Sequence, residues 1–235
     1  MNSLPSGYRA LVVGASGAIG GALLAHLQAD PRCGHAMGLS RQTSPGIDLR
    51  DEDSIARAAS QVGELLGGAP LNLLLVATGQ LHGEIGGPEK RLAQLNQRQM
   101  LDTFALNTVG PALVLARFAP LLARQERALV GVLSAKVGSI GDNRLGGWTS
   151  YRASKAALNM VLKTSAIELS RTHPLLAIAA LHPGTVASRL SAPFRSGHET
   201  RAPQDAAADL LRVMDGLACE QSGSFWAYDG QPLVW

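Results

Sequence analysis

Short, wholly apolar runs alternate with longer amphipathic stretches along the 235 residues of this chain, and no other sequence feature constrains the fold as much. Residues 9–13, 35–39, 71–76, 128–133, 176–181 and 224–228 read as strands, with a brief further one at 46–47. Residues 18–28, 52–66, 98–122, 151–171 and 203–216 read as helices. The strand runs are continuously hydrophobic, the pattern of parallel strands buried on both faces. Parallel neighbours need crossover connections, which are right-handed. The expectation is an α/β chain with a doubly wound, seven-stranded parallel sheet and helices on both faces. Its length suffices for one sizeable core but not for two full-size domains, so residues 1–235 are expected to form a single domain.

Composition excludes several other classes. The 26 glycines are aperiodic and accompany 46% hydrophobic residues, which rules out collagen and low-complexity disorder. The 21 basic and 18 acidic residues are dispersed, for a net charge of +3, and leave no nucleic-acid footprint. Cys33 and Cys219 form no CxxC pair and no disulfide framework, which fits a reducing, cytoplasmic setting. The N-terminal stretch lacks a basic segment followed by a hydrophobic signal core, and no apolar run approaches the ~20 residues that span a bilayer, so no membrane partner is expected. His26, His173, His182 and His198 show no ligand spacing, and no metal site is expected.

The first strand runs into the helix through RALVVGASGAIGGALLAHLQ, which places Gly14, Gly17 and Gly20 in the turn. Glycines there allow a tight turn, backbone approach to a pyrophosphate, and close helix–strand packing, with phosphates on the positive end of the helix. A strand before and an amphipathic helix after supply the context that such a motif needs. The reading is a dinucleotide-binding Rossmann fold, against the plainer one of a structural glycine turn. At the end of the second strand an acid would select NAD. This chain instead has Leu39-Ser40-Arg41, where Arg41 offers a guanidinium and Ser40 a hydroxyl to a 2′-phosphate, favouring NADP over NAD.

Tyr151-Arg152-Ala153-Ser154-Lys155 opens a predicted helix, so Tyr151 and Lys155 share one face, a turn apart. An ammonium beside a phenol stabilises phenolate, and the expected effect is a lowered tyrosine pKa suited to proton transfer with a carbonyl or alcohol.

With GASGAIG, Asp48-Leu49, Ala77-Thr78-Gly79, Asn107, YRASK and PGTVAS in this order, the chain resembles the short-chain dehydrogenase/reductase family over essentially its whole length. VATGQLHG, LSAKVGSIGDNRLGGW and SGSFWAYDG resemble its C-factor-like and carbonyl-reductase-like branch. The resemblance implies that Tyr151 is the general acid/base, that Lys155 holds the nicotinamide ribose and tunes Tyr151, and that Asn107 anchors a proton-relay water. It implies a cofactor site built from Gly14, Ser16, Gly17, Ile19, Gly20, Ser40, Arg41, Asp48, Leu49, Ala77, Thr78, Gly79, Pro183, Gly184, Val186 and Ser188, together with Tyr151 and Lys155. A small-molecule carbonyl or alcohol is the implied substrate, and a homodimer the implied assembly, through helices 98–122 and 151–171. The apolar content of those helices is equally explained by packing on their own sheet.

Three departures from the family pattern stand out. Ala18 occupies a usual glycine position, with Gly17 beside it, and Ala77-Thr78-Gly79 replaces Asn-Ala-Gly. The substrate-orienting serine falls on Ala135, so Ser134, Ser139 or no serine takes its role. A one-residue offset at a strand end turns a side chain to the opposite face unless the chain bulges. Ser134 is the favoured stand-in and joins Tyr151, Lys155 and Asn107 in the expected catalytic set. Trp148 either walls the substrate pocket or packs under its loop, and residues 189–201 are either a substrate lid or a surface loop. The function expected is hydride transfer between NADP and a carbonyl or alcohol; the alternative is a dinucleotide-binding, C-factor-like regulator with weak or no catalysis.

Overall fold

The computed structural model of the protein describes residues 1–83, 86–194 and 200–235. One parallel sheet has the order β2-β1-β3-β4-β5-β6, formed by β1 (Tyr8–Val13), β2 (Cys33–Leu39), β3 (Leu73–Val76), β4 (Ala128–Leu133), β5 (Leu176–His182) and β6 (Ser224–Ala227). Side chains alternate across it. Leu11 and Val13 of β1 face a core shared with α2 (Glu52–Leu66), α4 (Gly110–Phe118) and α5 (Thr149–Leu169), where Ile55, Val62, Val114, Phe118 and Leu158 are buried. Ala10 and Val12 face the other core, closed by Leu23 and Leu27 of α1 (Ala18–Ala29) and Leu210 and Met214 of α6 (Pro203–Asp215). This is the expected Rossmann fold with helices on both faces.

The sheet has six strands among the described residues, not seven. Residues 46–47 form no strand. The Ile47 N–H donates to the Ser40 carbonyl at 2.9 Å, folding the loop back on the end of β2, and the Ile47 side chain is buried in the α2 core. The apolar signal there was real, but it belongs to a loop anchor.

The expected helix 98–122 also differs in kind. α3 (Gln97–Phe104) passes into a π-turn over Ala105–Val109, then α4, then a 3-10 turn at Ala119–Leu121. Pro111 has no N–H to offer the Asn107 carbonyl one turn back, and Gly110 donates instead to Ala105, five residues earlier. By length and composition the 25 residues from Gln97 to Leu121 are apolar enough to cross a membrane, which the sequence reading missed. Here they form a core helix, with Val114, Leu115 and Phe118 buried against the sheet.

β1 lies between β2 and β3, so the chain reverses its direction of winding there. The crevice beyond the C-terminal ends of β1 and β3 is the topological switch point, where α/β sheets of this kind take their ligands.

Candidate active site

The glycine turn closes one side of that crevice. Gly14 adopts φ +90°, and its N–H and that of Ala15 donate to the Leu39 carbonyl, fastening the turn to the end of β2. A Cβ at Gly14 would press on Ala77 and Thr78, and one at Gly20 would run into the Gly14 carbonyl oxygen. α1 follows Gly17, which supplies no side-chain cap, and has no acid in its first turn, so its positive end is left for an anion. Ser16 is exposed at this end, while Ile19 packs into the α1 core. Across the crevice, Ala77 N–H donates to Val13, and the Thr78 hydroxyl is buried with no hydrogen-bond partner. A bare helix start, a turn without room for side chains and an orphaned buried hydroxyl together fit a dinucleotide.

The remaining expected cofactor residues lie around this crevice or support it. Ser40 is buried, its Oγ accepting from Gln42 N–H at 3.1 Å, and Arg41 beside it is exposed. Asp48 accepts from Arg50 N–H, and Leu49 is buried against Gly110 of α4. Pro183 and Gly184 follow β5, with Gly184 at φ +75° packed on Tyr228. Val186 is buried at a backbone bridge to Arg201, and Ser188 turns back on Ser191. The stretch 189–201 falls partly on residues 195–199, which lie outside the described residues, as does His198. At its described end, Arg201 pairs through its backbone with Thr185 and Ala187, and its guanidinium lies 3.8 Å over the Tyr228 ring.

Tyr151 and Lys155 lie on one face in the first turns of α5 and are buried, with 8% and 2% exposure. The Lys155 Nζ donates to the Leu133 carbonyl at 2.8 Å. Burial pushes the Lys155 ammonium down to about 7 and the Tyr151 phenol up to about 12. The tyrosine shift is opposite to the one expected from the sequence. Desolvation penalises phenolate as well as ammonium, and a lysine half-discharged near neutrality cannot offset it.

Asn107, in the π-turn, is fully buried and held by three hydrogen bonds. Its Oδ1 accepts from Gln80 N–H at 2.7 Å, and its Nδ2 donates to the Gln80 carbonyl at 2.8 Å and to Ser154 Oγ at 3.1 Å. Gln80 is itself tied down. Its side chain donates to Asp102 and accepts from Arg50, and Arg50 bonds Asp102 at 3.0 Å. The Arg50 guanidinium holds the Asp102 carboxyl below its ordinary value. A Cβ on Gly79 would lie 3.7 Å from Lys155 Nζ, 3.8 Å from Asn107 Oδ1 and 4.0 Å from Leu190. Position 79 thus faces the place where Lys155 and Asn107 come together, with room for ordinary contact.

The serines are placed otherwise than the sequence suggested. Ser134 Oγ donates to Asn159 Oδ1 at 2.6 Å, one helical turn beyond Lys155, and Ser139 Oγ accepts from Asp142 N–H. Ala135 is the residue of this strand end that packs with Tyr151, in a small cluster with Leu81, Val137, Trp148 and Leu190. Ser134 thus meets the Tyr151–Lys155 face of α5 two turns beyond the tyrosine, and Ala135 is the residue beside the phenol.

Sequence reasoning missed Gln80, Arg50, Asp102, Ser154 and Glu89. Ser154 stands inside the YRASK motif and could have been flagged. The others are isolated polar residues whose partners lie 22 to 61 positions away. Trp148 enters α5 in the left-handed region (φ 52°, ψ 41°), which costs about 1–2 kcal/mol for a residue with a Cβ. Its ring meets Tyr151 edge-on, with centroids 6.4 Å apart. Among the described residues no group of His, Cys, Asp and Glu could hold a metal ion.

The model of the short chain dehydrogenase family matches residues 34–199. The chain is 36% identical over 192 residues to the 1-hydroxy-2-glutathionyl-2-methyl-3-butene dehydrogenase of Rhodococcus sp. strain AD45, covering 81% of this chain and 79% of that protein. It is 33% identical over 144 residues to the C-signal of Myxococcus xanthus, covering 61% of this chain and 83% of that one. Among solved structures, the NADPH-bound carbonyl reductase from chicken fatty liver superposes with a TM-score of 0.86 at 25% identity, over 99% of this chain and 100% of that one. A cofactor crevice at the switch point and a buried tyrosine–lysine face beside it are thus joined by relatives of one kind: the chain belongs to the short-chain dehydrogenase family, as an NAD(P)-dependent oxidoreductase acting on a small-molecule substrate.

Proposed function

We propose that the protein is an NADP-dependent reductase of carbonyl compounds, or dehydrogenase of the matching alcohols, with Tyr151 as its general acid/base. The observation that carries this reading is the buried Tyr151–Lys155 face of α5, whose lysine lies with the clamped Asn107 beside Gly79 at the end of β3. When bound, the nicotinamide supplies or accepts the hydride. Tyr151, whose phenol is neutral at physiological pH, hands its proton to the carbonyl oxygen; in the oxidative direction it receives one from the alcohol. Lys155, titrating near neutrality, stabilises the phenolate that Tyr151 becomes and holds the ribose. Asn107 supports the relay that returns the proton. Ser134 enters as a positioning group for Asn159 behind Lys155, not as a donor to substrate.

NADP is the cofactor in this reading because Arg41 is exposed beside the glycine turn and no acid stands at the end of β2. Gly14, Ser16, Gly17, Ile19 and Gly20 would hold the pyrophosphate, and Ser40, Arg41, Asp48, Leu49 and Ala77 to Gly79 the adenine side. Pro183, Gly184, Val186 and Ser188 would back the nicotinamide side. Residues 1–235 act as one domain. A second copy of the chain is the proposed partner, since Leu101, Val109, Met160 and Ile167 are exposed on helices 97–109 and 149–169; sedimentation tests it.

The deciding experiment follows NADPH absorbance with a panel of aldehydes and ketones, comparing the parent with Tyr151→Phe. Turnover by the parent and a loss of ~100-fold or more in the variant supports the reading. Arg41→Ala is expected to weaken NADPH binding on the order of tenfold and to leave NADH binding near parent; equal losses would sink the 2′-phosphate assignment. One observation favours a second reading, a regulator with weak catalysis: alanine, not serine, packs on Tyr151. Tight NADPH binding without turnover on any carbonyl would establish it.

A further inference from the structure

The turn that enters α5 is built in a way that proton transfer does not require. Residues 146, 147 and 148 take φ of +64°, +65° and +52° in succession. The first two are glycines. The third is a tryptophan, the one non-glycine in the left-handed region among the described residues. Such a conformation persists at a bulky residue only where surrounding contacts impose it, and it tends to occur at functional sites. Here the contacts are explicit. Trp148 N–H donates to the Glu89 carbonyl, and the Trp148 carbonyl accepts from Arg152 N–H at 2.8 Å. Arg152 Nε donates to the Gly147 carbonyl at 2.9 Å. The Glu89 carboxylate, itself 3% exposed, accepts from the N–H and the hydroxyl of Ser150, capping α5 from another segment of the chain.

The result of this construction is a half-buried indole edge-on to the Tyr151 ring. The apolar side chains that pack with that phenol, besides the indole, are Leu81, Ala135, Val137 and Leu190. With alanine at 135, the end of β4 offers no hydroxyl to a carbonyl oxygen beside Tyr151. These apolar groups and the indole give that side of Tyr151 a surface suited to a flat apolar substituent.

We propose that Trp148, held in its left-handed conformation by Glu89, is the specificity-determining wall of the substrate pocket. The pocket takes carbonyl compounds whose carbonyl carries a flat apolar group, such as a phenyl ring, in preference to small aliphatic ones. The inference rests on the reductase reading above and names its substrate class.

The test compares kcat/KM for benzaldehyde and for propanal, with NADPH, in the parent, Trp148→Gly and Trp148→Phe. Glycine adopts the left-handed conformation freely, so Trp148→Gly keeps the turn and removes only the ring. The benzaldehyde-to-propanal ratio is expected to fall on the order of tenfold in Trp148→Gly, with Trp148→Phe in between. Both substrates are read on one sample, so partial unfolding lowers both rates and leaves the ratio unchanged. A ratio within about twofold of the parent overturns the wall. Should Trp148→Gly lose all turnover, the Trp148→Phe ratio decides in the same sense. A parent that turns over neither carbonyl overturns the reductase reading, and the wall with it.

Discussion

Lys155 gives the structure a measurable alkaline signature in the cofactor-free protein. An unfolded chain holds the lysine proton up to about 10.5, whereas burial in the folded chain pushes the ammonium down to about 7. Between those values the unfolded state binds more protons than the folded one, so this residue makes the protein more stable as pH rises. At 1.36 kcal/mol per pH unit the contribution between pH 7 and 10 is about 4 kcal/mol. Tyr151 acts in the opposite sense only above its ordinary value of 10.0, because the folded chain holds that proton up to about 12. Replacing Lys155 by methionine keeps much of the side-chain volume and removes the titration. Urea unfolding of parent and Lys155→Met at pH 7, 8, 9 and 10 isolates the effect, since every group common to both proteins cancels. The parent should gain about 4 kcal/mol relative to the variant over that range, roughly 1.3 M in midpoint at an m-value of ~3 kcal/mol/M. Parallel profiles would refute the reasoning, because they would mean that Lys155 keeps its charge when buried.

Other substitutions probe the rest of the site. Asp102→Ala removes the acceptor shared by Arg50 and Gln80 and should lower kcat about fivefold through a loosened Asn107, with the KM for NADPH near parent; single-turnover kinetics reads it. Glu89→Ala leaves the Ser150 hydroxyl and N–H without their partner and should lower Tm by roughly 3–10 °C, most of it restored in Glu89→Gln; calorimetry decides. Ala135→Ser places a hydroxyl beside Tyr151 and should raise kcat on the order of tenfold, below the ~100-fold that a preorganised donor contributes; an unchanged kcat would show that the hydroxyl does not reach the substrate oxygen.

Which of these features could be read from the sequence follows from how local their causes are. The glycine turn and the Tyr151–Lys155 face were legible because each is a local pattern: a steric demand within seven residues, or a spacing of one helical turn. The parallel sheet was legible because burial on both faces leaves continuous apolar runs. Residues 46–47 misled, since a buried loop residue such as Ile47 carries the same apolar signature as a short strand. The serine was undecidable, because one residue at the end of β4 separates a side chain packed with Tyr151 from one bonded to Asn159, two turns along the same helix. The clamp on Asn107 and the Glu89 strap were invisible for a different reason. Their partners are brought together only by the fold, and a lone glutamate between Pro88 and Lys90 looks like any solvated charge. The sign of the Tyr151 shift also needed the structure, because spacing reveals a charge neighbour but not the burial that outweighs it.

The π-turn at Ala105–Val109 amounts to a single extra residue wound into a helix, and this sets the rotational phase between two jobs. Before and within this turn the helix points Asp102 and Asn107 toward Gln80; after it, Val114, Leu115 and Phe118 point into the sheet. An uninterrupted α-helix would rotate one set by about 100° relative to the other. Deleting one residue from 105–109 would therefore make a more regular helix and a worse protein, able to seat its core or its asparagine but not both. Insertions and deletions in this segment should be far less tolerated than substitutions, and the irregular turn is best regarded as the joint that lets one helix serve two faces.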